Sequence, residues 1–322
     1  FTADNVGQVL LAKPKDAPAE APRAEGEKPD APRIVYDQLA MRRGDDGWEI
    51  AALPGQAPTD LVGAPIDAAR LENDLWKHLR SIRADRETLV QANATPEQLA
   101  AFGLDDAQAF VVKVADLAGQ NIVAELRIGR DAGQGVTGTE AVRGAFVRKA
   151  DSTDVVLYEW QTPLPRSVEA EPWLDRVLAR IEPDQVRRLS IKNSAQPRAF
   201  VFERPQGQGS WVAVDPPVGV GAVRQSEVDA LVQRLRYLPV QRFRLPLARA
   251  GNMAALGLFP PQIELRVTAA EADGERSYEF DVGSRLDDAN EFYVRSSESD
   301  FLITWPVGTV TPFELDVPQR LF

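Results

Sequence analysis

The sequence predicts an α+β protein made of two repeated units of mostly antiparallel sheet, each with one main covering helix, joined by a linker helix. Three observations lead there: an internal repeat of ordered landmarks, apolar residues alternating with polar ones at period two, and an amphipathic helical stripe in each half.

The repeat carries most weight. A Gly/Asp-rich turn into tryptophan stands at Arg43-Gly44-Asp45-Asp46-Gly47-Trp48, and a Gly-rich one at Gln206-Gly207-Gln208-Gly209-Ser210-Trp211. Leu75, Leu79 and Ile82 then match Leu231, Leu235 and Leu238, and Phe102-Gly103-Leu104 matches Leu256-Gly257-Leu258. Ile128-Gly129 and Val282-Gly283 each begin 24 residues after the closing leucine. Val147-Arg148 matches Val294-Arg295, and Trp160 matches Trp305. These landmarks divide the chain into a first unit at 1–165, a linker at 166–185 and a second unit at 186–322.

Each unit reads as three strands, one helix and about four strands. In the second, Ile263, Leu265 and Val267 alternate with Glu264, Arg266 and Thr268, while Tyr278, Phe280 and Val282 flank Glu279 and Asp281. That alternation marks antiparallel strands with one buried and one wet face. The main helix of this unit starts near Ser226, with Asp229 completing a cap, and buries Val228, Leu231, Val232, Leu235 and Leu238. Between the units, Val168 to Ile181 reads as a helix: Pro172 suits its first turn, Trp173, Leu174, Val177, Leu178 and Ile181 form one stripe, and Pro183 ends it. One segment departs from the repeat. Lys13 to Pro32 holds five prolines and nine charges without a bulky apolar residue. It cannot bury enough surface to offset its ordering entropy, so the expectation is a mobile insertion between the first two strands, either a docking arm or a tolerated long hairpin.

Composition excludes several functions. The 322 residues include no cysteine and one histidine, with 37 basic and 48 acidic side chains and a net charge of −11. Thiol nucleophiles, cysteine-bound metals and multi-histidine centres are therefore impossible. General nucleic-acid binding is disfavoured, since it needs a basic face. No apolar run approaches the ~20 residues that span a bilayer.

Together, the Gly-Trp turn, the Phe102-Gly103-Leu104-Asp105 element, Leu126-Arg127-Ile128-Gly129, the Val147-Arg148 strand and Val155-Val156-Leu157-Tyr158 resemble the bacterial domain of unknown function 4340 family, in two tandem copies. The second copy departs from the family pattern, with Phe259-Pro260 where an aspartate would follow Gly-Leu. The resemblance implies an envelope-side, periplasmic module of a membrane-anchored protein, its anchor upstream of Phe1, acting as accessory or scaffold to an ABC-type transporter like those of gliding machinery. It carries over no catalytic residue.

Several motifs invite chemistry. Gly133-Gln134-Gly135-Val136-Thr137-Gly138 spells a dinucleotide fingerprint, but the next apolar run, Gly144 to Arg148, reads as a strand where a helix N-terminus is required. No cofactor is expected. His78 falls on the apolar helix face with Leu71, Leu75 and Ile82, which fits a core-margin histidine bonded to backbone better than an acid–base catalyst. Asp45-Asp46, Asp105-Asp106 and Asp287-Asp288 with Glu291 sit at expected turns, where aspartate serves the backbone, and none has calcium-loop spacing. Trp48, Trp211, Trp160 and Trp305 occupy equivalent positions and are expected to fill cores rather than stack on glycans. The best candidate for partner contact is a basic strip after the second helix: Arg234, Arg236, Arg242, Phe243 and Arg244, with Arg249 beyond, in an otherwise acidic chain. The plainer reading, which surface charge runs favour, is a solvated strand face on which Arg242 and Arg244 alternate with Phe243. The expectation is a non-enzymatic module. The alternatives are a glycan- or peptide-binding module with a cleft between the repeats, and a carboxylate-dependent hydrolase.

Overall fold

A computed structural model describes residues 5–322 apart from 16–33, 54–58, 83–87, 133–143, 161, 195, 206–208, 217, 288 and 315. The insertion beyond Lys15 and the whole glycine fingerprint lie outside the described residues. Lys13 and Pro14 belong instead to the first strand, where they pair with Asp37 and Tyr36.

The chain forms two compact units, Phe1–Leu174 and Asp175–Phe322. The first holds β1 (Val6–Pro14), β2 (Tyr36–Arg43), β3 (Trp48–Ala51), β4 (Leu89–Gln91), β5 (Phe110–Asp116), β6 (Ile122–Asp131), β7 (Gly144–Lys149) and β8 (Val155–Glu159). These make one antiparallel sheet in the order β3-β2-β1-β5-β6-β7-β8-β4. In the second unit, β9 (Val177–Ala179) pairs with β13 (Leu238–Pro239) as a two-stranded sheet. Its main sheet contains β10 (Val186–Asn193), β11 (Phe200–Glu203), β12 (Val212–Val214), β14 (Arg242–Pro246), β15 (Ile263–Glu271), β16 (Gly274–Arg285), β17 (Glu291–Ser296) and β18 (Phe301–Pro306). The order is β12-β11-β10-β15-β16-β17-β18-β14, which is the first sheet's order position for position. The short strands β4 and β14 each enter between the main helix and the last four strands; β14 is the alternating strand read at Arg242–Arg244, whereas β4 was not foreseen.

Burial follows the period-two pattern. Leu11, Val112 and Leu126 stand side by side in register and are buried, as are Leu189, Val267 and Tyr278 in the second sheet. In the first unit, α1 (Ala68–Leu71) runs through a π-helical turn (Glu72–Trp76) into α2 (Lys77–Ser81), burying Leu71, Leu75, Trp76 and Leu79. Asp67 caps its start by accepting the Arg70 N–H at 3.0 Å. A further helix, α3 (Pro96–Ala101), begins with a reciprocal capping box between Thr95 and Gln98. The second unit has α4 (Gln225–Arg234), which buries Val228, Leu231 and Val232, and the short α5 (Val307–Val310) and α6 (Val317–Leu321).

Two expected details are corrected. Ser226 does not cap α4; its N-cap is Arg224, without a side-chain bond. Gln225 and Asp229 reach back to the tryptophan turn instead: Gln225 Oε1 accepts the Trp211 backbone N–H at 2.6 Å, and Asp229 Oδ1 accepts the indole N–H at 2.8 Å. The linker helix is absent. Glu171–Trp173 makes one 3-10 turn, after which Leu174 is extended and β9 follows. Neighbouring chain takes the backbone groups that a helix would have used: the Trp173 carbonyl accepts from Asp67 N at 2.9 Å, and Leu174 bridges Ile66. Asp175 then accepts the Val177 N–H at 2.9 Å, a local turn that competes with helix. Trp173, Leu174 and Ile181 are buried all the same, so the apolar stripe was real and its backbone geometry was not.

The repeated Gly-Leu landmark has a packing cause. Gly103 and Gly257 take φ of +69° and +66°, and the turns they form lie against Gly129 of β6 and Gly283 of β16. Arg130 N donates to the Phe102 carbonyl at 3.0 Å and Ser284 N to the Leu256 carbonyl at 2.7 Å. A Cβ on Gly129 would stand 2.2 Å from the Phe102 oxygen, and one on Gly283 2.3 Å from the Leu256 oxygen. Gly129→Ala and Gly283→Ala should each lose about 1–3 kcal/mol of stability in urea unfolding, the usual cost of overpacking. Gly251→Ala, with open space around its Cβ, should stay within about 0.5 kcal/mol. Equal midpoints for all three variants would refute the close-approach account.

Candidate functional site

Each sheet carries charged side chains at corresponding register positions of its central strands. In the second sheet Asp281 of β16 lies directly across from Arg295 of β17 and is 4% exposed. Its carboxylate accepts from Arg266 Nη2 at 2.7 Å and from Arg295 Nε at 3.0 Å, with a further bond from Arg295 Nη2. Arg266 also donates to the Leu265 and Phe280 carbonyls, both at 3.1 Å. The Asp281 charge is thus fully matched where it is buried, the condition that makes such burial tolerable.

The first sheet has the inverse charge in the same place. Arg127 of β6 pairs across the ladder with Arg148 of β7, two like charges facing each other. The two are turned to different partners. Arg127 bonds Asp106, with Glu125 at 3.9 Å, while Lys113 pairs Glu125 at 3.0 Å. Arg148 directs its guanidinium to four carbonyls, those of Leu104, Lys149, Ala150 and Ser152, at 3.0–3.3 Å. Burial, and secondarily the neighbouring Arg127 charge, lowers the Arg148 pKa from its ordinary value. Asp106 thus holds Arg127, while Asp105 Oδ2 accepts from the Gln108 side chain at 3.3 Å and its Oδ1 is buried without a partner among the described residues; Asp45 and Asp46 are exposed on their turn. Among the described residues no group of three or more acidic or histidine side chains could hold a metal.

His78 is 5% exposed, and its Nδ1 lies 2.9 Å from the Tyr158 hydroxyl, a side-chain partner in place of the expected backbone one. The Tyr158 ring stands edge-on to His78 and to Trp160, over which Arg166 lies on its way to Asp131 at 2.6 Å. Burial lowers the His78 pKa, with Asp74 opposing and Lys77 adding to the shift. Burial likewise raises Tyr158, against a bond from Ser81. Of the matched tryptophans, Trp211 and Trp305 are fully buried, whereas Trp48 and Trp160 are half-buried.

Of the basic strip, Arg234, Arg236 and Arg242 are exposed and Phe243 is buried. Arg234 ends α4, where a cation suits the helix C-terminus. Arg236 faces Glu182 at 3.7 Å, and Arg242 pairs at 3.2 Å with the buried Glu291, which also accepts from Thr304 at 2.7 Å. Phe243 is corrected outright. Register places it opposite Ile303, so it is 7% exposed and packs edge-on against Phe301 at 5.6 Å, as the alternating-strand reading requires. Arg244 is half-buried at a register shift of β14. Sequence reasoning missed the Asp281 clamp. Its signal was present in the alternation of Arg266, Asp281 and Arg295 on the wet strand positions.

A pocket of about 520 Å³ in the second unit is lined by Asn193, Ser194, Gln196, Gln262, Glu314 and Asp316, with Phe200 among its walls. These features define an α+β module whose charged groups mainly serve its own sheets. The chain belongs to the family described as Domain of unknown function (DUF4340), whose model matches residues 57–244, more than half of the chain and across the boundary between the two units. Neither a curated protein nor a solved structure matches it.

Two measurements check the site. Burial lowers the folded pKa of His78 below the unfolded value of about 6.5. Its contribution to stability should be complete above that value and be lost as pH falls towards the folded pKa. His78→Gln should flatten the fall in urea midpoint between about pH 7.5 and 5.5; an unchanged pH profile would contradict this. Asp281→Ala strands two guanidinium groups and should cost about 1–3 kcal/mol, discounted for their partial exposure, with Asp281→Asn milder.

Proposed function

We propose that this chain is a non-enzymatic accessory or scaffold module, composed of two tandem copies of the family unit, that docks a membrane protein complex at the extracytoplasmic face of the envelope. The complex would be of the ABC-transporter type, and the chain would be held there by a segment upstream of Phe1. One observation carries the reading. The charged rows are occupied by internal partners, while large apolar side chains stand exposed at sheet edges and at a hairpin tip: Leu89 and Val90 on β4, Val212 and Val214 on β12, and Leu117, Ile122 and Val123 around the β5–β6 turn. Apolar groups placed at edges suit contact with another chain better than solvent. Freedom from cysteine is compatible with an oxidising compartment. No helix among the described residues is long and apolar enough to cross a membrane.

The pocket beside Phe200 favours a second reading as a binding module. Three carboxamides, a hydroxyl and two carboxylates near an aromatic ring could bind the hydroxyls of a glycan or the backbone of a peptide.

Cross-linking of the full-length protein in its native membranes, followed by mass spectrometry, should recover an integral membrane protein linked through residues near β4, β12 or the β5–β6 turn. Recovery of none would overturn the docking reading.

A further inference from the structure

The two sheets end differently at one edge. Outside β3, the chain from Gly63 to Ile66 adds itself to the first sheet: Ile50 N donates to the Ala64 carbonyl at 2.9 Å, Gly63 N to the Ile50 carbonyl at 2.8 Å, and Ile66 N to the Trp48 carbonyl at 2.8 Å. Glu49 and Pro65 form the corresponding bridge. β12 occupies the same position in the second sheet, and Ala213, opposite Phe202, corresponds to Ile50, opposite Met41. Beside β12, Gln225 takes the place of that segment at Trp211, accepting its N–H at 2.6 Å and donating to its carbonyl at 2.9 Å, but among the described residues no backbone group bonds the outer side of Ala213. The chain that could have covered it runs elsewhere: Gly221 lies beside Phe322, and Arg224 N donates to the Leu321 carbonyl at 2.8 Å. Val212 and Val214 stay exposed at 42% and 41%.

We infer that the outer edge of β12 receives one extended segment of a partner protein, neutral or basic and bearing small or β-branched apolar residues, bonded to the backbone of Ala213 as Gly63–Ile66 bonds to Ile50. Strand addition of this kind takes affinity from main-chain bonds and selectivity from alternate side chains, here beside Val212 and Val214. A second copy is the poorer occupant. A three-residue edge buries far less than the roughly 1,000 Å² a stable dimer needs, and two chains of charge −11 repel. That same charge favours a neutral or basic segment. The inference rests on the docking reading and names where one partner strand would sit.

The test uses the purified full chain and a capped peptide of the Leu61–Ile66 sequence flanked by two lysines, followed by amide NMR. Binding should shift the Val212–Asp215 amides and slow exchange at Ala213. Ala213→Pro, which removes the outward N–H at an edge that tolerates proline, should weaken binding at least tenfold. Methylating the peptide nitrogen that corresponds to Gly63 should do the same whatever the variant's folding. The inference is overturned by an Ala213 amide already protected in the free chain, by absence of binding at millimolar peptide, or by shifts that map elsewhere. Self-association abolished by Ala213→Pro would assign the edge to a second copy and overturn it equally. Failure here leaves the membrane cross-linking result standing, and the reverse also holds.

Discussion

In both units a strand glycine has no side chain because another backbone oxygen occupies the place of one. The Phe102 carbonyl rests on Gly129 and the Leu256 carbonyl on Gly283, each fixed by a bond from the next residue's amide. The contact orders the residues packed around it. In the first unit it seats Leu104 among Ala94, Ala132, Phe146 and Val155, with Leu99 and Phe102 against them. It requires left-handed backbone at Gly103 and Gly257, which only glycine adopts at little cost. Two glycines and a spacing of 24 residues are thus one constraint seen twice.

The charged rows show how much chemistry this scaffold can change without changing its ladder. Asp281 and Arg127 occupy corresponding places with opposite charge, and each is accommodated by redirecting its neighbours. Around Asp281 the partners are arginines; around Arg127 they are Asp106 and Glu125, while Arg148 turns to carbonyl oxygens. The backbone register is the invariant and the side-chain partners are negotiable. Such a row behaves as structure, which moves attention to the sheet edges as the places where the molecule meets something else.

Much of this was legible in the chain itself. Alternation located the long strands, because a half-buried antiparallel strand must repeat at two residues. The glycine spacing located the repeat, because a close backbone approach admits no other residue. The stripe at Trp173, Leu174 and Ile181 misled, since apolar spacing reports burial and cannot say whether the backbone bonds belong to a helix or to neighbouring segments. Phe243 misled for a related reason. As a contact residue it drew on its arginine neighbours, whereas the strand alternation also legible there turns every second residue inward. His78 was placed rightly near the core, but its partner Tyr158 lies 80 residues away and no local pattern announces it. The open edge of β12 needed both sheets side by side, since it is defined by a segment that covers one and not the other.

The most direct measurement is hydrogen exchange at two amides, Arg130 and Ser284, in the parent chain and in the Gly129→Ala and Gly283→Ala variants. If the carbonyl-on-glycine contact holds each unit, both amides are protected in the parent. Each should exchange about 100-fold faster in its own variant, the change expected for loss of roughly 2.7 kcal/mol of local stability. Protection at Arg130 and Ser284 that survives both alanines unchanged would contradict the account at its root.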